Sequence, residues 1–311
     1  MSGRDIGASV RQRLLNQSRA QARPFQELLQ YFAMERFLYR LANSSVVDRF
    51  VLKGALLLTA WQAPLSRPTM DIDLAGRTSN DLDHISEVVQ SVCCVRTEPD
   101  GVEFDTPSIE VARIKEGAEY EGVRVTFIAT LARARIPMQI DIGFGDVIVP
   151  APTPVEYPTL LDFPAPVLLA YPKETVVAEK LEALTKLGLL NSRMKDYYDL
   201  ALLSRLYSFD GAVLVEAVRA TFRQRETPIE IDPIGLTQTY YADSARSLQW
   251  RAFIRRSRFT EHPNDLEQLV AEVRRFAVPL LTAASGRGSV SRWDAGGPWV
   301  WNPQSPVNAT F

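Results

Sequence analysis

Residues 51–76 read VLKGALLLTAWQAPLSRPTMDIDLAG, and the closing TMDIDLAG, residues 69–76, sets Asp71 and Asp73 one residue apart where an apolar strand asks for valines. In an extended strand alternate side chains share a face. Asp71 and Asp73 are therefore expected to point the same way, about 6–7 Å apart along the chain, with Met70, Ile72 and Leu74 forming the opposite, core-facing row. Like charges at that spacing repel, and burial raises the cost unless a cation or hydrogen-bond donors compensate. A divalent ion supplies that compensation. Carboxylate ligands on a rigid strand suit magnesium, or manganese in its place, above all where substrate phosphates complete the shell.

A third carboxylate stands in MQIDIGFGD, residues 138–146, where Gln139, Asp141 and Gly143 alternate with Met138, Ile140 and Ile142. Neighbouring strands lie about 4.8 Å apart, so Asp141 on an adjacent strand can converge with Asp71 and Asp73 as a metal-binding group. The bland alternative has all three facing solvent on one side of a sheet, because Asp-x-Asp is a short and common pattern. Upstream, Lys53-Gly54 has two readings as well. The glycine permits a tight turn, or it brings backbone N–H groups beside phosphate oxygens at the start of the next helix.

Working outward, IGASVRQRLLNQSRAQARPFQELLQYFAMERFLYRLA, residues 6–42, carries apolar positions at helical spacing interrupted at Pro24, which predicts two helices. Residues 51–61 fit an apolar helix or a strand-to-helix junction, and residues 82–92 a helix. Strands are expected near residues 108–114, 123–131 and 137–144, paired as hairpins in a mixed sheet. A proline-rich passage over residues 150–172 changes the texture, and helical patterning then runs to Ala284. The domain boundary is placed within it, giving residues 1–160 and 161–311. Trp293, Trp299 and Trp301 punctuate the Gly- and Ser-rich end and are expected to pack back on the body.

With 311 residues, 46% hydrophobic and 23% charged, the chain suits two domains with cores of their own rather than long-range disorder. Its formal charge of -2 announces no polyanionic partner, so any nucleic-acid surface must be local. The only cysteines, Cys93 and Cys94, are adjacent and offer neither a disulfide framework nor metal spacing, which suggests a reducing compartment. No apolar run reaches transmembrane length, and a cytoplasmic protein is expected. His84 and His262 lie in no ligand cluster, so zinc hydrolase chemistry has little support.

A second constellation follows in KETVVAEKLEALTKLGLLNSRMKDYYDLALLSRL, residues 173–206. Val177, Leu181 and Leu184 suit one helix and Leu200, Leu203 and Leu206 another, a helical hairpin. Lys180 lies beside the packing stripe, and Asp196 and Asp199 share a helical face. Either Lys180 serves triphosphate oxygens with Asp196 positioning it, or Lys180 and Asp196 form a salt bridge that holds the hairpin. Two arginine-rich stretches could touch RNA. RSLQWRAFIRRSRF, residues 246–259, holds Arg246, Arg251, Arg255, Arg256 and Arg258 without an acid, and the N-terminal segment adds Arg4, Arg11, Arg13, Arg19 and Arg23, where a solvated helix face is the ordinary reading.

From ERFLYRLANSSVVDRFVLKGALLLTAW to AEKLEALTKLGLLNSRMKDYYDLALL the chain resembles the AbiEii/AbiGii toxin family, a branch of the nucleotidyltransferase superfamily known from type IV toxin-antitoxin systems. The family's Lys-Gly turn, short helix and Asp-x-Asp strand match Lys53, Gly54, Asp71 and Asp73. Its later strand carboxylate matches Asp141, its helix-borne lysine Lys180, and its KD..D element Lys195, Asp196 and Asp199. Family members often carry a further Gly and a hydroxyl residue after the lysine, whereas this chain has Gly54-Ala55-Leu56, which leaves backbone donors for phosphate.

The resemblance implies an α/β fold, a nucleotidyltransferase-like mixed β-sheet flanked by helices and followed by a mainly helical C-terminal domain. It implies transfer of a nucleotide from an NTP to an RNA acceptor, the tRNA 3' end in characterised relatives, by the toxin of a pair with a cognate antitoxin. Asp71, Asp73 and Asp141 would hold Mg2+, with Lys180 and Asp196 in the catalytic set. Lys53, Gly54, Arg67, Lys180 and Asp199 would serve the nucleotide. Transfer to a protein or a small molecule, and an inactive binding subunit, remain open at this point.

Overall fold

The computed structural model describes residues 3–63, 68–116, 120–257, 263 and 265–300; the expectations for Arg67, Arg258, His262 and Trp301 fall outside them. The chain divides into two compact units, Met1–Asp146 with Thr153–Tyr171, and Val147–Pro152 with Pro172–Phe311. The first is a mixed sheet with helices and the second is mainly helical, as the patterning leads one to expect.

In the first unit helices α1 (Gly3–Ala20) and α2 (Phe25–Ala42) are separated where Ala22 takes a positive φ and Pro24 presets the next helix start. Strand β1 (Phe50–Lys53), the short helix α3 (Leu56–Ala60), β2 (Ile72–Gly76) and α4 (Leu82–Cys93) follow. Then come β3 (Val102–Glu116), β4 (Tyr120–Leu131), β5 (Ala134–Phe144), β6 (Thr153–Glu156) and β7 (Val167–Ala170). They form one sheet in the order β3-β4-β5-β2-β1-β7-β6. The β2/β5 and β1/β7 pairs are parallel and the others antiparallel. Strands β6 and β7 arise inside the proline-rich passage, whose prolines and short runs hide the alternation.

The buried face of the sheet is built from Ile72 and Leu74 of β2, Val123, Val125 and Phe127 of β4, and Met138, Ile140 and Ile142 of β5. Helix α2 packs there, with Phe37 against Phe127 at a ring-centroid distance of 5.7 Å. Strict alternation then sends Arg124, Asp73 and Asp141 to the opposite face. Met70 departs from the expected row. It is 51% exposed because the ladder begins only at Ile72, so Met70 and Asp71 precede the strand. Helix α2 holds that approach instead, with Gln30 Nε2 donating to the Met70 carbonyl at 3.3 Å and the Thr69 N–H donating to the Tyr31 hydroxyl at 3.0 Å.

The second unit opens with the hairpin of α5 (Lys173–Leu187) and α6 (Met194–Leu206), closed by buried Val177, Leu181, Leu184, Leu200 and Leu203. Strand β8 (Phe209–Asp210), α7 (Gly211–Gln224), α8 (Gln238–Tyr241), α9 (Ser244–Ser257) and α10 (Leu266–Ala284) follow, and β9 (Arg292–Trp293) and β10 (Trp299–Val300) complete a small sheet with β8. Trp293 and Trp299 do pack back. Their indole N–H groups donate to the carbonyls of Ser204 at 2.7 Å and Phe276 at 2.8 Å, which satisfies the polar atom of each buried ring. No helix among the described residues is long and apolar enough to cross a membrane.

Inside α2 the buried Glu35 faces the Arg36 guanidinium at 3.0 Å and accepts the Leu160 N–H at 2.7 Å, tying the loop before β7 to the helix. Burial pushes its carboxyl up to about 7 although Arg36 opposes the shift. Between the ordinary value of 4.5 and about 7 the folded chain keeps a proton that the unfolded chain has released, so this group's share of stability falls as pH rises through that window. Glu35→Gln should remove that slope from a plot of thermal midpoint against pH, whatever it does to the midpoint itself. An unchanged slope would show that Glu35 titrates normally.

Candidate active site

The register across the open face aligns Lys53 of β1 with Asp73 of β2, Asp73 with Asp141 of β5, and Asp141 with Arg124 of β4. One row running across four strands thus reads positive, negative, negative, positive. Asp71 joins it from the bend before β2, its carboxylate fixed by a short hydrogen bond from the Thr69 hydroxyl. One carboxylate oxygen from each of Asp71, Asp73 and Asp141 lies within 4.8 Å of the other two, and all three residues are half-buried. A set of hard oxygen donors this close fits a divalent cation such as magnesium or manganese.

The cations at the row's ends are engaged. Lys53 Nζ lies 2.8 Å from Asp146 Oδ2, with its charge over the Tyr171 ring at 5.8 Å from the centroid. Arg124 grips Asp141 with both arms of its guanidinium, Nε to Oδ1 at 2.8 Å and one terminal nitrogen to Oδ2 at 2.7 Å. Gln139 adds a longer contact to Oδ2 at 3.3 Å. Two glycines make room for this arrangement. Gly54 has φ +72°, and a Cβ there would overlap the Asp73 carboxylate. A Cβ on Gly143 would stand 2.8 Å from Lys53 Nζ. Both steric freedoms of glycine, a left-handed backbone and an absent side chain, are in use at Gly54.

The second constellation lies in the second unit. Lys180 Nζ stands 2.9 Å from Asp196 and 2.8 Å from Asp199, and Arg193 Nε stands 2.7 Å from the other oxygen of Asp196. Burial alone would raise the Asp196 carboxyl, but Lys180 and then Arg193 hold it below its ordinary value. This geometry serves the salt-bridge alternative directly, because two carboxylates of α6 close on one ammonium of α5. On α9, Trp250 is buried and Arg251, Arg255 and Arg256 are exposed, as the helical pattern implies. Arg246 is committed within its own unit, over the Tyr240 ring at 5.8 Å and to Gln249 at 3.1 Å. At the N-terminus Arg13 pairs with Asp162 and Arg23 with Glu27, each at 2.7 Å. His84 is bonded to Thr78 at 2.8 Å and stands outside the carboxylate cluster.

Arg124, Asp146 and Thr69 belong to the site and carry no sequence motif. Arg124 had a recoverable signal. The β4/β5 hairpin turns through Ala132 and Arg133, and counting back from the Leu131 and Ala134 pair brings Arg124 opposite Asp141. The gap left between the strands expected at residues 123–131 and 137–144 concealed that tight turn.

Three clustered carboxylates on a mixed sheet, beside a glycine turn and flanked by cations, suit metal-assisted chemistry on a phosphate. Residues 36–272 match the family described as nucleotidyl transferase AbiEii toxin of type IV toxin-antitoxin systems, and the chain belongs to that family. Among solved structures it is similar to a candidate nucleotidyltransferase from H. pylori at 14% identity and a TM-score of 0.47, covering 84% of this chain and 97% of that one. It is also similar to JHP933 from Helicobacter pylori at 15% identity and a TM-score of 0.49, covering 84% of this chain and 94% of that one. No curated protein matches the chain.

Two substitutions probe these arrangements. Gly54→Ala should cost about 1–2 kcal/mol for the left-handed backbone alone and also displace Asp73, so both the urea midpoint and divalent-ion binding should fall. Lys180→Met leaves two buried carboxylates without their ammonium, and should destabilise the fold at neutral pH by about 3–5 kcal/mol in urea unfolding. The Asp196 share of stability is present above the ordinary carboxylate range and lost as pH falls through its lowered value, so the deficit should shrink in acid. A Lys180→Met protein of wild-type stability would disprove the brace.

Proposed function

We propose that this chain transfers a nucleotidyl group from an NTP to the 3' end of an RNA, with tRNA as the acceptor, and that a cognate antitoxin restrains it. The observation that carries the proposal is the gathering of Asp71, Asp73 and Asp141 oxygens within 4.8 Å on one sheet row. Family membership supplies the toxin context.

Asp71, Asp73 and Asp141 would hold Mg2+, which when bound offsets phosphate charge and lowers the pKa of the attacking hydroxyl. Thr69 keeps the Asp71 carboxylate turned into the site. Gly54 leaves the Asp73 carboxylate its space and, with Lys53, lies on the side of the row where triphosphate oxygens would rest. The 3' oxygen of the acceptor forms a bond to the α-phosphorus as the bond to the bridging oxygen breaks, and pyrophosphate leaves with that electron pair. The hydroxyl proton passes to solvent. Lys180, Asp196 and Asp199 enter as the brace of the α5/α6 hairpin, a role favoured by their mutual distances. Exposed Arg251, Arg255 and Arg256 offer phosphate contacts for the RNA body.

Incubation with total cellular RNA, Mg2+ and each NTP labelled at the α- or the γ-phosphate tests the assignment. Label should enter tRNA-sized RNA from the α-position only. Asp71→Ala and Asp73→Ala should each lower the rate by about a thousandfold or more with circular dichroism unchanged, the scale of a lost metal contact. Normal transfer by the folded double variant would remove the assignment, and label from the γ-position would mark a phosphotransferase instead.

A further inference from the structure

Arg124 closes the charged row in a way that constrains Asp141. A guanidinium that binds a carboxylate through two parallel hydrogen bonds occupies the lone pairs best placed for another cation. An ion shared with Asp71 and Asp73 would compete with that guanidinium for the Asp141 oxygens, and the two positive charges also repel each other. The arginine end of the pair is open to water, its side chain 43% exposed against 18% for Asp141, so the guanidinium can swing away while the carboxylate stays on the row. Gln139 Nε2 lies 3.3 Å from Oδ2, a neutral donor to the same carboxylate.

Beside Arg124 the same sheet face opens into a cavity of about 430 Å³ whose lining includes Ser108, Thr126, Ile128, Pro137 and Gln139. Thr126 and Gln139 are each two residues from Arg124 and Asp141, which places them on the same face about 7 Å further along their strands. Hydroxyls, an amide and the Glu110 carboxylate, which can accept from ribose hydroxyls, stand beside apolar Ile128 and Pro137 and suit a sugar and a base. Direction comes from the chemistry of in-line displacement, where the attacking oxygen and the leaving pyrophosphate stand on opposite sides of phosphorus. Lys53 and Gly54 lie beyond Asp73, whereas the cavity runs along β3, β4 and β5 as far as Met70, so the row has a cationic end for the leaving group and a cavity for the attacking nucleotide.

We propose that Arg124 is an exchangeable partner of Asp141: it holds the carboxylate until a divalent ion takes it, and then binds the phosphate of the acceptor's terminal nucleotide, whose sugar and base lie in the cavity along β3, β4 and β5. The proposal rests on the nucleotidyl-transfer reading and names the residues that meet its acceptor.

Mn2+ binding to the full chain without nucleotide, read by electron paramagnetic resonance, tests the exchange without any turnover. Arg124→Gln should bind Mn2+ several-fold more tightly than wild type, Arg124→Lys should fall between them, and the gain should vanish when Asp141→Asn is added. Equal or weaker binding by Arg124→Gln overturns the exchange. Steady-state kinetics test the acceptor contact. The KM for RNA should rise about tenfold and the slope of log affinity against log salt should drop by about one, with the KM for NTP unchanged. A rise in the KM for NTP instead would make Arg124 a triphosphate ligand and overturn the acceptor role. A wild-type protein that labels no RNA would fail the nucleotidyl-transfer reading and the acceptor role with it, while the Mn2+ result still decides the exchange.

Discussion

Three carboxylates whose oxygens lie within 4.8 Å of one another repel, and their partial burial strengthens that repulsion. Much of the first unit is arranged around this cost. Arg124 lies against Asp141, Thr69 donates to Asp71, and Lys53 stands one strand from Asp73 while paired with Asp146. The sheet supplies the rigidity, since strand registers fix which side chains are neighbours and a slip of β2 or β5 by one residue would send Asp73 or Asp141 to the buried face. A site of this kind stores electrostatic work that a cation releases, which is why the fold and the chemistry are hard to separate.

The supports of that row come from different depths of the molecule. Helix α2 covers the apolar face with Phe37 and its neighbours, yet it also reaches round through Gln30 and Tyr31 to hold the backbone of Met70 and Thr69. One helix thus anchors the core and sets the approach to Asp71. Gly54 and Gly143 act by omission, leaving the volume in which the Asp73 and Lys53 side chains lie. In the second unit the same physics recurs, with Asp196 and Asp199 closing on a lysine from their partner helix.

Much of this was legible in the residues. Alternation in TMDIDLAG and MQIDIGFGD placed Asp73 and Asp141 on one face, and helical spacing disclosed the α5/α6 hairpin with Lys180 beside Asp196. The expected row of Met70, Ile72 and Leu74 failed at its first member, since alternation says nothing about where a ladder starts. Strands β6 and β7 escaped notice because four-residue strands among prolines carry too few positions to show a period.

By itself the sequence determined the local alternatives: which residues can lie on one face of a strand or helix, and which backbone positions need glycine. Such properties depend on near neighbours in the chain, so a short window contains them. Only the tertiary structure decided that Arg124 meets Asp141, that Asp146 meets Lys53, and that Tyr31 steadies Thr69. Those pairings join residues 17, 93 and 38 positions apart, and they follow from strand register and helix packing, which the whole buried surface settles at once.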